Sequence, residues 1–354
     1  MWHAAVATRA ALLILLIAPF ANASPQRPQT DTQSNETGLP WAYGFSTPAP
    51  PEPVPARPAP GPAAPAEPKE VMGTVLHVPG SGRAFSLKEV DDTFGPADWF
   101  PDDHPAMPEV VAQGRKPSVN ACGFCHYPNG KGRPNNAGPA GLPANYILQQ
   151  LEDFRNGARM SWDKRKRNTG QMITIAKGLT AEEARAAADY FASIKWTPWI
   201  KVVETDTVPK THFVGGGGGL CLPLEGSEAG TEPLGMRIVE MPQDIEQTEP
   251  LRNPRSGFIA YAPLGSVKKG EALVERGGAG KTVACAACHG EGLKGHGNFP
   301  SLAGRSPSYL ARQLYDFQHF TRVGPGAQLM QPIVQNFSEE DILDVTAYIA
   351  SLQP

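Results

Sequence analysis

Apolar side chains recur at the helical period between Ala144 and Asn156. Ile147, Leu151 and Phe154 fall on one face of this stretch, and most positions between them are polar. Such spacing is typical of a helix that covers an apolar surface. The pattern therefore predicts a helix over residues 144–156 that packs against something large and apolar.

Two later helices are indicated by their first residues. Thr180 and Ser338 each stand three positions before an acidic side chain, which is the pattern of a capping box. The helices that begin there are predicted over Ala181–Ile194 and Glu339–Leu352. One such helix is therefore predicted in each half of the chain.

Two other regions lack helical periodicity. Residues 71–107 contain enough apolar side chains to pack against the domain that comes next in the chain, and we predict an irregular segment with one short helix near Ser86–Phe94. Residues 196–263 are predicted to form a β-rich or irregular connector, because their β-prone runs are separated by glycine, proline and charged residues. The runs are Ile200–Val203, Leu220–Leu224, Met236–Met241 and Gly257–Tyr261.

The N-terminal residues indicate export. Residues 1–23 combine Arg9, a short apolar run and a small-residue end, which predicts a signal peptide cleaved after Ala23 and a periplasmic protein; an uncleaved anchor is the alternative. Residues 24–70 include ten prolines among the 21 positions 48–68. Such a composition predicts a disordered tether, with a docking motif for a partner as the alternative.

Length and net charge say little about the number of domains and the kind of partner. The 354 residues allow two domains with additions, and the net charge of −3 gives no reason to expect nucleic acid as a partner.

The cysteines identify the chemistry. The pattern Cys-x-x-Cys-His occurs at Cys122–His126 and again at Cys285–His289, and it is the attachment signal of a c-type haem. Two thiols one helical turn apart each form a thioether with the haem, and the histidine reaches the iron. A single Cys-x-x-Cys would also suit a dithiol oxidoreductase or half a zinc site, but two copies with the trailing histidine favour haem. Pro139 or Pro143 is a candidate to pack on the haem or to orient the first imidazole.

The two motifs belong to a longer repeat. A shift of 163 positions superposes Cys122 on Cys285 and also matches Tyr146, Gln150 and Phe154 with identical residues of the second copy. After five residues are lost from the second copy, a shift of 158 aligns Met172 with Met330. The chain therefore contains a duplicated domain.

Each unit resembles a class I cytochrome c domain, and the pair resembles the tandem dihaem cytochromes c, over residues 108–195 and 264–354. The resemblance implies a mainly α fold of two cytochrome c domains, joined here by the connector and preceded by the proline-rich arm, with two covalently bound haem c groups. It also implies His and Met as axial iron ligands and no small-molecule substrate at the iron. The residues so assigned are Cys122, Cys125, His126 and Met172 for the first haem, and Cys285, Cys288, His289 and Met330 for the second.

Met160 is an alternative thioether for the first haem. Position favours Met172, which stands seven residues before Leu179 as Met330 stands seven before Phe337. Met160 has no methionine counterpart in the second unit. A connector of this length departs from the family, so the distance between the haems is not predicted.

The expected function is electron transport without substrate chemistry. The carrier would move single electrons between a dehydrogenase or membrane complex and a terminal oxidase or another cytochrome, and its partners would be redox proteins. One alternative is a cytochrome subunit of a dehydrogenase complex. Another is a dihaem cytochrome c peroxidase, which would need an open coordination position on one iron.

Two further features of the sequence suggest roles of their own. The segment Arg155–Arg167 holds six cationic side chains, and it predicts either a solvated loop or a docking patch for an acidic redox partner. Cys221 is outside both motifs and is predicted to be a buried thiol, with an intermolecular disulfide as the alternative.

Overall fold

The computed structural model describes residues 1, 38–48, 73–214 and 219–354. Most of the regular structure outside the connector is helical. The helices in chain order are α1 Pro40–Tyr43, α2 Leu87–Val90, α3 Glu109–Ala112, α4 Cys122–His126, α5 Ala144–Arg155, α6 Arg167–Gly178, α7 Ala181–Ser193, α8 Ile245–Thr248, α9 Ser266–Arg276, α10 Ala286–His289, α11 Pro307–Gln318, α12 Ala327–Val334 and α13 Glu339–Ser351. The strands are β1 Val75–His77, β2 Ala84–Ser86, β3 Ile200–Glu204, β4 Thr207–Pro209, β5 Thr211–Val214, β6 Leu220–Pro223, β7 Thr231–Pro233, β8 Val239–Pro242 and β9 Phe258–Ala262.

The sequence repeat is also a structural repeat. Helix α5 and helix α11 both contain 12 residues, and their bounds coincide after the shift of 163 positions. Helix α7 and helix α13 both contain 13 residues, and their bounds coincide after the shift of 158. The predicted ends of α5, α7 and α13 are one residue too long.

The predicted caps are present. The side chains of Thr180 and Ser338 accept hydrogen bonds from the third residue of their helices, and the acidic side chains there return the bond to the cap backbone. Ser86 caps α2 in the same way, although α2 ends at Val90 and not at Phe94. Reciprocal capping satisfies backbone N–H groups that have no partner inside a helix.

The connector forms a small sheet against the second domain. β9 lies between β3, which runs parallel to it, and β8, which runs antiparallel. Apolar side chains of the connector, among them Ile238 and Ala260, pack with Leu343 and Ala347 of α13. Two further antiparallel pairs, β4 with β7 and β5 with β6, complete the connector.

Cys221 lies on β6 of the connector. Its thiol is partly buried against the apolar cluster that contains Val208 and Leu234. Burial raises the pKa of this thiol, so it stays protonated at neutral pH. The predicted buried thiol is therefore only partly buried.

The segment 73–107 packs on both the first domain and the connector. Trp99 and Phe100 form a core with Val78 and Val90, and the indole nitrogen of Trp99 donates to the carbonyl of Leu251 at 2.7 Å. The amide of Ala121, directly before the first cysteine motif, donates to the carbonyl of Thr93 at 2.9 Å. This segment therefore lies over the start of the first domain.

The predicted tether is wrong for residues 38–48. Leu39, Ala42 and Tyr43 are buried in the core of the second domain, and the Tyr43 hydroxyl donates to Asp316 at 2.8 Å. The reason is the aromatic side chains of this short stretch, which can bury apolar surface that the surrounding prolines cannot. The predicted signal peptide after Met1 and the remainder of the predicted tether lie outside the described residues.

The described helices are all too short or too polar to cross a membrane.

Candidate functional site

The first cysteine motif lies at the wall of a deep cavity in the first domain. Helix α4 carries both thiols and the imidazole, and α5, α6 and α7 supply apolar walls. The residues that line the cavity include Cys122, Cys125, His126, Leu142, Ile147, Leu151, Phe154, Met160, Met172, Ile175, Leu179 and Phe191. The apolar face predicted for residues 144–156 is therefore the face that lines this cavity.

The second motif lies beside the core of the second domain. Cys285 and Met330 pack against the edge of a buried cluster that includes Leu310, Tyr315 and Ile349. Its histidine, at the end of α10, is buried. Cysteine, histidine and methionine thus meet a helical apolar core in both domains.

The two motif histidines are oriented in the same way. His126 Nδ1 lies 2.8 Å from the carbonyl oxygen of Ala137, and His289 Nδ1 lies 2.8 Å from that of Pro300. Each carbonyl stands eleven residues after its histidine. A carbonyl can only accept, so Nδ1 carries the proton and Nε2 is left with a lone pair for a metal. Neither Pro139 nor Pro143 orients the first imidazole, so that alternative is wrong; a loop carbonyl cannot be chosen from residue type. The other alternative, that one of these prolines packs on the haem, stays a prediction.

Burial keeps both imidazoles neutral. It lowers the pKa of His126 and of His289 more than the backbone hydrogen bonds raise it. A neutral imidazole is the form that binds iron, since protonation would occupy the lone pair.

Cys122 and Cys285, the first cysteines of the two motifs, do not resemble the thiols of a reactive dithiol. Burial raises the pKa of Cys122 to about 12 and that of Cys285 to about 11. Dithiol oxidoreductases and zinc sites depend on thiolates, whose pKa values are lowered by their surroundings. No group of three or more His, Cys, Asp and Glu residues that could hold a metal ion is found within the described part of the chain. These environments favour the haem interpretation over the dithiol and zinc alternatives.

The methionines occupy different positions. Met172 on α6 and Met330 on α12 are both partly buried. Met160 also lines the first cavity, but it is 44 % exposed, and its amide donates to the carbonyl of Thr321 in the second domain at 2.7 Å. Met160 is therefore part of a contact between the domains.

That contact is symmetric. Arg159 and Arg322 are buried and form an antiparallel β-bridge between the domains. Each guanidinium donates to the side-chain oxygens of both Gln150 and Gln313, at 2.7–3.0 Å. Each arginine and each glutamine thus occupies the same place in its own copy of the domain. The cavity of the first domain reaches this interface, where Tyr309 and Gln313 of α11 line it.

The cationic segment is not a surface patch. Arg155 donates to the carbonyls of Ala176 and Leu179, Arg159 lies in the interface, and Lys166 is buried beside Tyr43. Burial lowers the pKa of Lys166 well below its usual value. Of the six cations, only Lys164 and Arg167 are exposed. The solvated loop is therefore wrong for most of the segment, because the chain uses four of the six charges to join its own parts. A docking role for the exposed Lys164 and Arg167 stays a prediction.

Comparison with known proteins identifies the family. The cytochrome c family model matches residues 111–195 and 267–353, which are the two helical domains. A cytochrome c-554(548) from Halomonas halodenitrificans is 39 % identical over 75 residues, which are 21 % of this chain and 90 % of that protein. The chain belongs to the cytochrome c family.

Longer alignments extend over both domains of this cytochrome. It is 26 % identical over 240 residues to a protein of Thiomonas intermedia named thiosulfate dehydrogenase electron acceptor, covering 66 % of this chain and 80 % of that one. It is 25 % identical over 237 residues to cytochrome c4 of Pseudomonas aeruginosa, covering 65 % and 83 % of the two chains.

Two cytochrome c domains carry two covalently bound haem c groups, and the residues present fit them. In the first domain the cavity has apolar walls for the ring, and its cysteines and histidine share one helical turn. At the interface, Arg159 and Arg322 have no carboxylate within ion-pair distance among the described residues. Buried guanidinium groups without an anion are unfavourable, and the propionates of a haem are anions of the right kind.

Proposed function

We propose that this cytochrome is a periplasmic dihaem electron carrier. It transfers single electrons between a dehydrogenase or membrane complex and a terminal oxidase or another cytochrome. The observation that carries the proposal is the duplicated site: two Cys-x-x-Cys-His turns with matched histidine orientation, in domains that share one buried interface.

In this proposal each domain contributes four side chains to its haem. The haem supplies a one-electron iron couple with its His and Met ligands. The thioether cysteines are Cys122, Cys125, Cys285 and Cys288, and the axial ligands are His126, Met172, His289 and Met330.

The remaining protein groups control the environment of the iron. The carbonyls of Ala137 and Pro300 hold the imidazoles in one tautomer. The apolar walls exclude water, which favours the ferrous state because ferric haem carries one more positive charge. Tyr309 and Gln313 of the second domain line the cavity of the first, so this interface would be the route by which an electron passes between the domains. No residue is assigned to substrate chemistry, so the chain is proposed to act as a carrier and not as an enzyme.

A second candidate is a cytochrome subunit of a dehydrogenase complex. It is favoured by the relatives named thiosulfate dehydrogenase electron acceptor, which align over both domains. The connector and the segment 73–107 add surface beyond the two domains that the family model matches.

The test uses the exported, haem-loaded protein. We expect two covalently bound haems per chain, both six-coordinate and low-spin, and rapid one-electron reduction by a purified thiosulfate dehydrogenase or another periplasmic dehydrogenase. One haem per chain would contradict the proposal, and a five-coordinate high-spin haem that turns over peroxide would favour the peroxidase alternative. Sizing and co-purification separate the two candidates, since a subunit would elute with its enzyme at working concentration.

A further inference from the structure

The first haem motif is covered by a part of the connector. Residues 248–255, which we call the covering segment, lie over the turn that holds Cys122 and Cys125. The side chain of Arg252 donates to the carbonyl of Phe124, and its guanidinium lies 4.2 Å from the Phe124 ring centre. Arg133 donates to the carbonyl of Thr248 at 2.6 Å. The turn therefore has this segment on one side and the haem cavity on the other.

Among the residues that the structure describes, none covers the second motif in this way. Ala287 and Cys288 are exposed, and so are most residues directly after the motif. The reason lies in the sequence, because the residues that contact the covering segment are changed in the second copy. After the shift of 163 positions, Phe124, Tyr127, Asn129 and Arg133 correspond to Ala287, Gly290, Gly292 and His296.

The covering segment brings buried positive charge to the first motif. Arg252 is 9 % exposed and Arg133 is 7 % exposed. Arg133 donates to the Tyr127 hydroxyl at 2.7 Å, and Arg252 also lies over the Tyr127 ring. Neither guanidinium has a carboxylate within ion-pair distance in the parts of the chain that the structure describes. Both charges are thus held without a neutralising partner beside the residues that join the two cysteines.

A buried cation and the exclusion of water change a haem potential in the same direction. Oxidation adds one positive charge to the haem, and a nearby guanidinium in a medium of low dielectric opposes that charge. Water around an exposed haem edge screens and stabilises the ferric form. Arg159 and Arg322 do not distinguish the haems, because they are placed symmetrically between the domains.

We infer that the covering segment, through Arg252, holds the first haem at a higher reduction potential than the second. The inference rests on the proposed electron-carrier function. An electron accepted from a reduced partner redox protein at the exposed second motif would then pass on to the first haem, whose higher potential would retain it longer. Arg252 is a positioning residue for this transfer, since it acts on the iron through its charge and not by contact with a substrate.

The test is a spectroelectrochemical titration of the full haem-loaded chain. Arg252→Gln removes the charge at similar volume, and Arg252→Lys retains it. Arg255→Gln is the matched control, because Arg255 belongs to the same segment but is solvent-exposed and paired with Asp103. A Met330→His background gives the second haem a distinct spectrum and so assigns the two potentials.

We expect Arg252→Gln to lower the ferrous-to-ferric ratio of the first haem at least tenfold at a fixed potential, which corresponds to about 59 mV for one electron. The second haem should not change, Arg252→Lys should restore most of the shift, and Arg255→Gln should have little effect. The inference is overturned if the first haem of the parent protein has the lower potential, or if Arg252→Gln and Arg255→Gln act alike. The carrier proposal would survive that result, since it fails only on haem content, spin state or transfer to partners.

Discussion

Arg159 and Arg322 cross the domain interface in opposite directions. Arg159 donates to Gln313 of the second domain at 2.9 Å, and Arg322 donates to Gln150 of the first at 2.7 Å. Each also donates to the glutamine of its own domain. A long connector separates the two domains in the sequence. In the fold they are joined by one arginine and one glutamine from each domain, at equivalent positions.

Replacing Arg322 by Met should weaken this interface. The change removes two charge-assisted donors and leaves both glutamine oxygens with one partner fewer. Buried bonds to a charged group contribute about 1.5–3 kcal/mol, so we expect the free energy of unfolding of the haem-loaded protein to fall by about that amount. Denaturant unfolding followed by circular dichroism measures it.

The control for that variant is Arg185→Met. Arg185 pairs with Asp189 on the exposed face of α7. Such a pair stabilises a helix by about 0.2–0.5 kcal/mol. Equal losses in the two variants would show that the interface network adds nothing beyond a surface ion pair.

The sequence predicted the local elements well and the long-range contacts poorly. Capping boxes and the repeat are local patterns, so the bounds of α7 and α13 and the correspondence of the two domains could be predicted to within a residue. The roles of Arg159 and Lys166 could not, because a cationic stretch has the same composition whether it is solvated or buried against another domain. The covering segment was missed for the same reason, as Arg252 meets Phe124 only through the fold. The aromatic residues Trp41, Tyr43 and Phe45 indicated a segment that packs on a domain, but the proline-rich composition around them led to the prediction of a tether.

The proposed methionine ligands, Met172 and Met330, give a second prediction. Met172→Ala should abolish the sulfur-to-ferric charge-transfer band of the first haem and lower its potential, because a neutral thioether sulfur favours ferrous iron. We expect a loss of at least tenfold in ferrous preference, about 59 mV or 1.4 kcal/mol. Met330→Ala should do the same at the second haem, as measured by near-infrared absorption and redox titration.

Met160→Ala is the matched variant for this assignment. Met160 lines the same cavity but is 44 % exposed and belongs to the contact between the domains, so its removal should leave the band and the potential of the first haem unchanged. If Met160→Ala removes the band while Met172→Ala retains it, the ligand of the first domain is Met160.

A close helix crossing gives a third prediction. Gly270 of α9 lies against α13, and a Cβ atom there would stand 2.0 Å from the carbonyl oxygen of Asp344 and 2.7 Å from the Cβ of Tyr348. Because both neighbouring atoms are held by α13, Gly270→Ala must separate the helices, and we expect a loss of about 1–3 kcal/mol in thermal or denaturant unfolding.

Gly170→Ala on α6 is the control for the crossing. Apart from its chain neighbours and the backbone of its own helix, no atom of the described residues lies within 4 Å of a Cβ built at Gly170, and the residue is helical. Alanine is better than glycine inside a helix by about 0.8–1.0 kcal/mol, so this variant should be neutral or more stable. A loss at Gly170 as large as that at Gly270 would show that glycine is needed for a reason other than the crossing.

The last prediction concerns pH. Asp344 lies on α13, and burial raises the pKa of its carboxyl from 3.8 to about 6. The nearby carboxylates of Glu340 and Asp341 add to this rise. Ser266 and Lys269 of α9 lie close to Asp344 and oppose it. Between about pH 4 and pH 6 the folded protein therefore binds more protons at this site than the unfolded chain does. Stability must fall as the pH rises through that window. Asp344→Asn cannot ionise, so it should gain stability relative to the parent protein on going from pH 4 to pH 7.

Asp341→Asn, on the same helix, should show the opposite trend. Burial raises the pKa of Asp341, but hydrogen bonds from Lys281 and Ser338 outweigh it and lower the pKa below 3.8. Its carboxylate stabilises the fold above the pKa of the unfolded chain, and this contribution is lost as the pH falls. The variant should therefore be less stable to unfolding than the parent protein at pH 7, and the difference in stability should shrink towards pH 3. Urea unfolding of the parent protein and both variants at several pH values measures how the free energy of unfolding changes with pH. If this free energy changed with pH in the same way in the two variants, the assignment of opposite pKa shifts to Asp344 and Asp341 would be contradicted.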